Sequence, residues 1–124
     1  MNMLARKYRL KKDSAFTATY RIKHSYAKSG IILWVGKEKK EAQKEYPTKV
    51  GFVVSKKAHK RAVKRNRLKR LMREAYRLSL KNNEAINAQN YLSLIFVGLD
   101  RAIGKNYKQV EKSIKFLIDN IKQD

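Results

Sequence analysis

The sequence predicts a single α+β domain in which helices lie against one sheet, and three observations predict it. Two segments rich in β-branched and aromatic residues, Ile31–Gly36 and Lys49–Ser55, read as strands. The C-terminal segment from about Tyr107 to Lys122 places Tyr107, Val110, Ile114, Leu117, Ile118 and Ile121 on one helical face, a stripe fit to pack on a sheet. A length of 124 residues leaves room for one core rather than two. The whole chain, 1–124, is therefore one domain, with residues 1–8 as an N-terminal arm open to disorder.

In chain order, Asp13 or Ser14 can cap a short helix running to about Lys23, since either side chain accepts a backbone N–H of the first turn. Phe16 and Tyr20 are four apart and share one face of it. His24–Ser29 reads as a short strand, followed by Gly30 and the strand Ile31–Gly36. Alternation puts Ile31, Leu33 and Val35 on one side of that strand and Ile32 and Trp34 on the other. Lys37–Tyr46 is a charged, exposed connection closed by Pro47. In the next strand Val50, Phe52 and Val54 oppose Lys49, Gly51, Val53 and Ser55. A long helix spans roughly Arg61 to Leu80, with Leu68, Leu71, Met72, Ala75 and Ser79 as a narrow buried stripe and Asn82-Asn83 as its stop. Tyr91–Gly98 is the last strand.

Charge narrows the function. Thirty-one Lys and Arg stand against ten Asp and Glu, a net charge of +21. Self-repulsion on that scale works against a compact monomer unless the working state has a polyanion to neutralise it, which points to nucleic acid. The absence of cysteine excludes disulfides and thiolate metal sites. The opening MNMLARKYRLKK has no signal-peptide core, and the longest apolar run, Ile31–Val35, is far short of a membrane span. A soluble, cytoplasmic protein with no membrane partner is expected.

From Lys56 to Arg77 there are eleven Lys or Arg and one acid, Glu74. Like charges at Lys60/Lys64, Arg61/Arg65, Arg65/Lys69, Lys69/Arg73 and Arg73/Arg77 each destabilise a helix by a few tenths of a kcal/mol, about 0.2–0.5. Cations at the helix N-terminus also oppose the macrodipole. An ordinary solvated face mixes both signs; this one does not. The arrangement suits phosphate, which backbone N–H groups, dipole and side chains all attract there. A DNA major groove would accept such a helix, but there is no helix-turn-helix spacing, zinc ligand set or heptad dimeriser. Aromatics near the basic surface favour RNA, whose unstacked bases can lie on rings.

The segment Val53–Tyr76, VVSKKAHKRAVKRNRLKRLMREAY, closely resembles the signature of the bacterial ribonuclease P protein component. Its centre is Arg65-Asn66-Arg67, followed by Leu-Lys-Arg and an Arg-Glu-x-Tyr ending. The preceding strand, Val50 to Lys57, fits as well, as does the opening Arg9-Leu10-Lys11-Lys12 with Phe16 and Tyr20. Some members carry Gly-Asn after the Lys-Lys pair; Ala58-His59-Lys60-Arg61 stands here, similar to a version one residue longer. The resemblance implies an αβββαβα sandwich like the second domain of ribosomal protein S5, with a left-handed crossover around the basic helix. It also implies a protein that binds the catalytic RNA of ribonuclease P and the 5′ leader of precursor tRNA. The RNA would carry the chemistry with Mg2+, with no cofactor held by the protein and no obligate protein partner.

On that reading Lys56, Lys57, Arg61, Lys64, Arg65, Asn66, Arg67, Lys69 and Arg70 bind the catalytic RNA, and no protein residue is catalytic. Phe16, Tyr20 and Trp34 line a leader cleft, with Lys12, Lys49 and Lys56 neutralising phosphates. The same aromatics also suit a plain core, Phe16 above all. The acids form no spaced pair of two-metal type, and His24 and His59 have no evident acid–base partner. A structural protein of ribosomal RNA is the alternative; a DNA-binding regulator and an independent protein nuclease rank below it.

Overall fold

The computed structural model describes residues 4–122. The chain runs α1 (Asp13–Arg21), β1 (His24–Lys28), β2 (Ile31–Val35), β3 (Lys49–Val54), α2 (Ala62–Lys81), β4 (Ser93–Gly98) and α3 (Tyr107–Asp119), the predicted αβββαβα order. Short 3-10 turns lie at Arg6–Tyr8, Glu41–Gln43, Asn87–Asn90 and Asp100–Ala102. One local expectation fails. Neither Asp13 nor Ser14 caps α1: Lys12 is the N-cap, without a side-chain hydrogen bond, and Asp13 lies inside the first turn, where its charge favours the dipole instead. The N-terminal arm is docked from residue 4: Leu4 is buried, its carbonyl accepts from Arg9 Nε at 2.7 Å, and Leu10 N donates to Val50 O at 3.0 Å. Residues 1–3 of that arm lie outside the described residues.

The sheet order is β1-β2-β4-β3, antiparallel except for the parallel β3–β4 pair. Parallel neighbours need a long crossover, and α2 supplies it. Ser29 and Gly30, at φ 49° and 86°, make the tight β1–β2 turn, whose twist matches that of the strands it joins. A Cβ on Gly30 would also stand 2.8 Å from Ala102 N, so this position needs glycine twice over. The 37–46 connection is held at both ends. Glu38 bridges to Tyr91, and Lys39 Nζ donates to Tyr46 O at 2.6 Å.

One sheet face carries the core. Ile31, Leu33 and Val35 of β2, Val50 and Val54 of β3, and Leu94 and Phe96 of β4 are buried there. Above them lie Leu68, Met72, Ala75, Tyr76 and Ser79 of α2 and Val110, Ile114, Leu117 and Ile118 of α3. Helix α2 comes so close to β4 that a Cβ on Gly98 would stand 2.5 Å from Leu68 Cδ2. Tyr76 belongs to the buried stripe, whereas Leu71 is only half-buried at its flank. The Tyr76 ring packs 6.3 Å from Phe52 and 6.0 Å from Phe96, which themselves stack at 5.8 Å. Its hydroxyl accepts from Gln89 Nε2 at 3.2 Å, and burial pushes its pKa up to about 12. Helix α3 stops at Asp119, short of Lys122, although Ile121 remains buried.

The opposite face is ordered in rows across the strands. Lys49 pairs with Ser93; Ser25, Trp34, Ile95 and Gly51 form a second row; Ala27, Ile32, Val97 and Val53 form a third. Helix α1 covers the first two rows only. Thr19 Oγ1 donates to Ala15 O at 2.8 Å and meets Ser93 Oγ at 2.6 Å, a buried polar clasp. Phe16 lies flat against the strand because residue 51 has no side chain: a Cβ there would be 2.6 Å from its ring. Gly51→Val should therefore lift α1 off the sheet. We expect a stability loss of about 1–3 kcal/mol, the usual cost of overpacking, in urea unfolding. Emission of Trp34, the only tryptophan, should change in the folded state as its packing against α1 is lost.

Candidate nucleic-acid interface

Helix α2 begins without a side-chain N-cap and with no acid in its first turn. The preceding loop substitutes for both. His59 Nδ1 accepts from Arg61 N at 3.0 Å, and Arg65 Nη1 donates to His59 O at 2.8 Å and Lys60 O at 2.9 Å. His59, read from sequence as lacking an acid–base partner, is thus part of the helix start. Its neighbour Arg65 braces the 56–61 loop against the helix.

Helical geometry divides the Arg-Asn-Arg triplet, because successive side chains point about 100° apart at 3.6 residues per turn. Arg65, half-buried, turns back onto the loop; Asn66 points to solvent; Arg67 faces the turn that follows β4. Lys56, Lys57, Arg61, Lys64 and Arg70 are exposed, and Lys69 is half-buried on the other flank. Further along that flank Arg73 lies over the Phe52 ring, 5.9 Å from its centroid. Glu74, the one acid of the segment, is used within the helix on Arg77 at 2.5 Å. The outward face up to Arg70 therefore presents one sign of charge. Within it stands Val63, 75% exposed among cations, an apolar side chain that the charge pattern concealed.

The sequence-predicted aromatics come together on the face away from α2. Tyr20 and Trp34 meet edge to face, ring centroids 5.3 Å apart, and Phe16 rests on Gly51 beside them. All three are half-buried and keep part of their surface outside. Burial raises the pKa of the Tyr20 hydroxyl above its ordinary value. Next to the rows that α1 meets is the third row, where Ile32, Val53 and Val97 are half-buried and keep part of their apolar surface exposed. Alternation had placed Ile32 with Trp34 and Val53 with Gly51, so two of these three residues were legible. Lys12 and Lys49 are exposed at the edge where α1 begins, and Lys56 is exposed where the chain leaves β3. Apolar row, aromatic rings and cationic rim form a surface suited to an extended single strand.

Among the described residues no group of three or more His, Asp or Glu side chains is placed to hold a metal ion, and no helix is long and apolar enough to cross a membrane. His24 Nε2 is bonded to Tyr26 OH at 2.6 Å, away from the basic helix.

Comparison with known proteins agrees with this geometry. The ribonuclease P family model matches residues 4–122. The ribonuclease P protein component of Clostridium kluyveri is 34% identical over 111 residues, covering 90% of this chain and 91% of its own. That of Clostridioides difficile is 35% identical over 109 residues, covering 88% and 87%. Among solved structures, the Staphylococcus aureus RNase P protein superposes with a TM-score of 0.70 at 25% identity, covering 92% of this chain and 96% of its own. The Thermotoga maritima RNase P protein shares the fold, with a TM-score of 0.71 at 18% identity over 93% and 98% of the two chains. With both the family model and these relatives spanning nearly its whole length, the chain belongs to the ribonuclease P protein family.

Proposed function

We propose that the chain is the RNA-docking and leader-binding protein subunit of a ribonuclease P that removes the 5′ leader of precursor tRNA. The observation that carries this is the separation of two surfaces on one sheet, a single-signed cationic helix on one side and an aromatic-walled, apolar cleft on the other. Lys56, Lys57, Arg61, Lys64, Arg65, Asn66, Arg67, Lys69 and Arg70 dock the catalytic RNA. Arginines there give bidentate phosphate contacts, and Asn66 both donates and accepts. Arg65 acts partly by holding the 56–61 loop in place.

The leader lies along the cleft, its bases on Trp34, Tyr20 and the third row, its phosphates toward Lys12, Lys49 and Lys56. Each base stacked on an aromatic ring contributes about 1–3 kcal/mol without demanding a particular base. That suits leaders of varied sequence. The catalytic RNA supplies the bound Mg2+ and the chemistry. The protein supplies positive charge, position and a grip on the substrate, in the cytoplasm and without an obligate protein partner.

Adding the protein to a bacterial ribonuclease P RNA at low Mg2+ should raise correct 5′ cleavage of precursor tRNA; no effect, together with tight binding to ribosomal RNA, would favour a ribosomal role. Arg65→Ala combined with Arg67→Ala should weaken assembly with the catalytic RNA about 10-fold or more, as lost charge-assisted contacts of this kind do, with the far-ultraviolet circular dichroism of the parent. Trp34→Ala should leave that assembly intact and lower the affinity for precursor relative to mature tRNA by about 5- to 150-fold, the equivalent of one stack. If both variants bind both RNAs like the parent, the two-surface account is wrong.

A further inference from the structure

Lys64 and Arg67 of α2 share one wall of a notch of about 130 Å³ whose far side is Gly104 and Lys105, in the turn between the 3-10 segment Asp100–Ala102 and α3. Leu68, Leu71 and Ala102 complete its lining. The three cations reach it from two elements far apart in sequence. Neither Lys64 nor Arg67 has a hydrogen-bond or ion-pair partner among the described residues. Lys105 is half-buried, and its ammonium donates to Ser29 O at 2.9 Å, which fixes the group while leaving further N–H donors free. No acid lines the notch. Asp100, the nearest carboxylate in sequence, accepts from the backbone N–H of Arg101 at 2.8 Å. Gly104 adopts φ +87°, and a Cβ there would meet nothing within 4 Å, so the rim is open to a ligand from outside.

We propose that this notch binds one backbone phosphate of the catalytic RNA, so that the docking surface continues off α2 onto the turn that carries Lys105. The inference rests on the reading of α2 as the RNA-docking helix and adds a site outside it. Three like charges held around one small opening repel one another, and one phosphate reverses the sign of that interaction. Arg67 offers a planar pair of donors, and Lys64 and Lys105 are point charges on either side, a set matched to a tetrahedral anion. The notch is small, with room for a phosphodiester group but not for a base. It is also continuous with the exposed cations of α2, which makes a polynucleotide the source of the phosphate.

The test is a titration of the full chain against a bacterial ribonuclease P RNA over a range of salt concentrations, comparing the parent with Lys105→Gln, Lys64→Gln and the double variant. Each single variant should weaken binding and lower the slope of log affinity against log salt by about 0.7–0.9, the release expected for one phosphate contact. Because both lysines serve the same phosphate, the double variant should lose less than the sum of the two. The bond from Lys105 to Ser29 O is exposed and Lys64 is exposed, so neither change threatens the fold. A parental slope and affinity in Lys105→Gln overturns the proposal. So does saturation of the Gly104 and Lys105 amide resonances by inorganic phosphate with RNA binding indifferent to Lys105, since the notch would then serve a free anion. Failure of the parent reading is distinct: there, Arg65→Ala with Arg67→Ala would itself leave RNA binding unchanged.

Discussion

The packing of one narrow stripe of α2 onto the parallel β3–β4 pair is the contact on which the rest of the molecule depends. Leu68 sits against Gly98 and Val54, and Tyr76 closes the Phe52–Phe96 stack about two turns later. Burial of Leu68, Met72 and Tyr76 contributes roughly 1.5–3 kcal/mol for each side chain. Repulsion between like charges one turn apart costs only about 0.2–0.5 kcal/mol for each pair. The stripe therefore wins with most of the helix surface still unassigned. That surplus is what lets the outward face carry cations of one sign.

A second consequence of this topology is that the crossover helix covers one side of the sheet and leaves the other for α1. Being short, α1 reaches only two of the three residue rows. Thr19 and Ser93 clasp it to β4, and the bare backbone of Gly51 lets Phe16 lie close. What stays uncovered, Ile32, Val97 and Val53, is apolar because it continues a sheet that must be hydrophobic under α1. Under the proposed assignment, substrate grip and RNA docking occupy opposite sides of one four-stranded layer, and neither ligand has to displace the other.

Much of this was legible in the sequence, for identifiable reasons. Strand alternation around Ile31–Val35 and Lys49–Val54 and the apolar stripe of α3 are local periodicities, and they survive folding unchanged. The cationic face of α2 was legible as charge alone. Tyr76 was not assigned to the stripe because a tyrosine between Ala75 and Arg77 gives no local sign that its ring fills the gap between two phenylalanines on different strands. The start of α2 was opaque because its bracing comes from the His59 ring and from carbonyls that accept from Arg65, not from a standard capping residue. Lys105 was the hardest to foresee. It owes its position to Ser29, on a turn far away in the chain, and its neighbours in sequence carry no motif.

The central claim, that two RNAs occupy opposite faces of the sheet at once, is tested most directly by crosslinking within the assembled complex. Precursor tRNA bearing photoreactive nucleotides in its leader should attach to Trp34, Ile32, Val53 or Val97, while the same groups placed in the catalytic RNA should attach to the loop 56–61 and the first half of α2. Leader crosslinks on α2, or catalytic-RNA crosslinks on the third row of the sheet, would contradict the account.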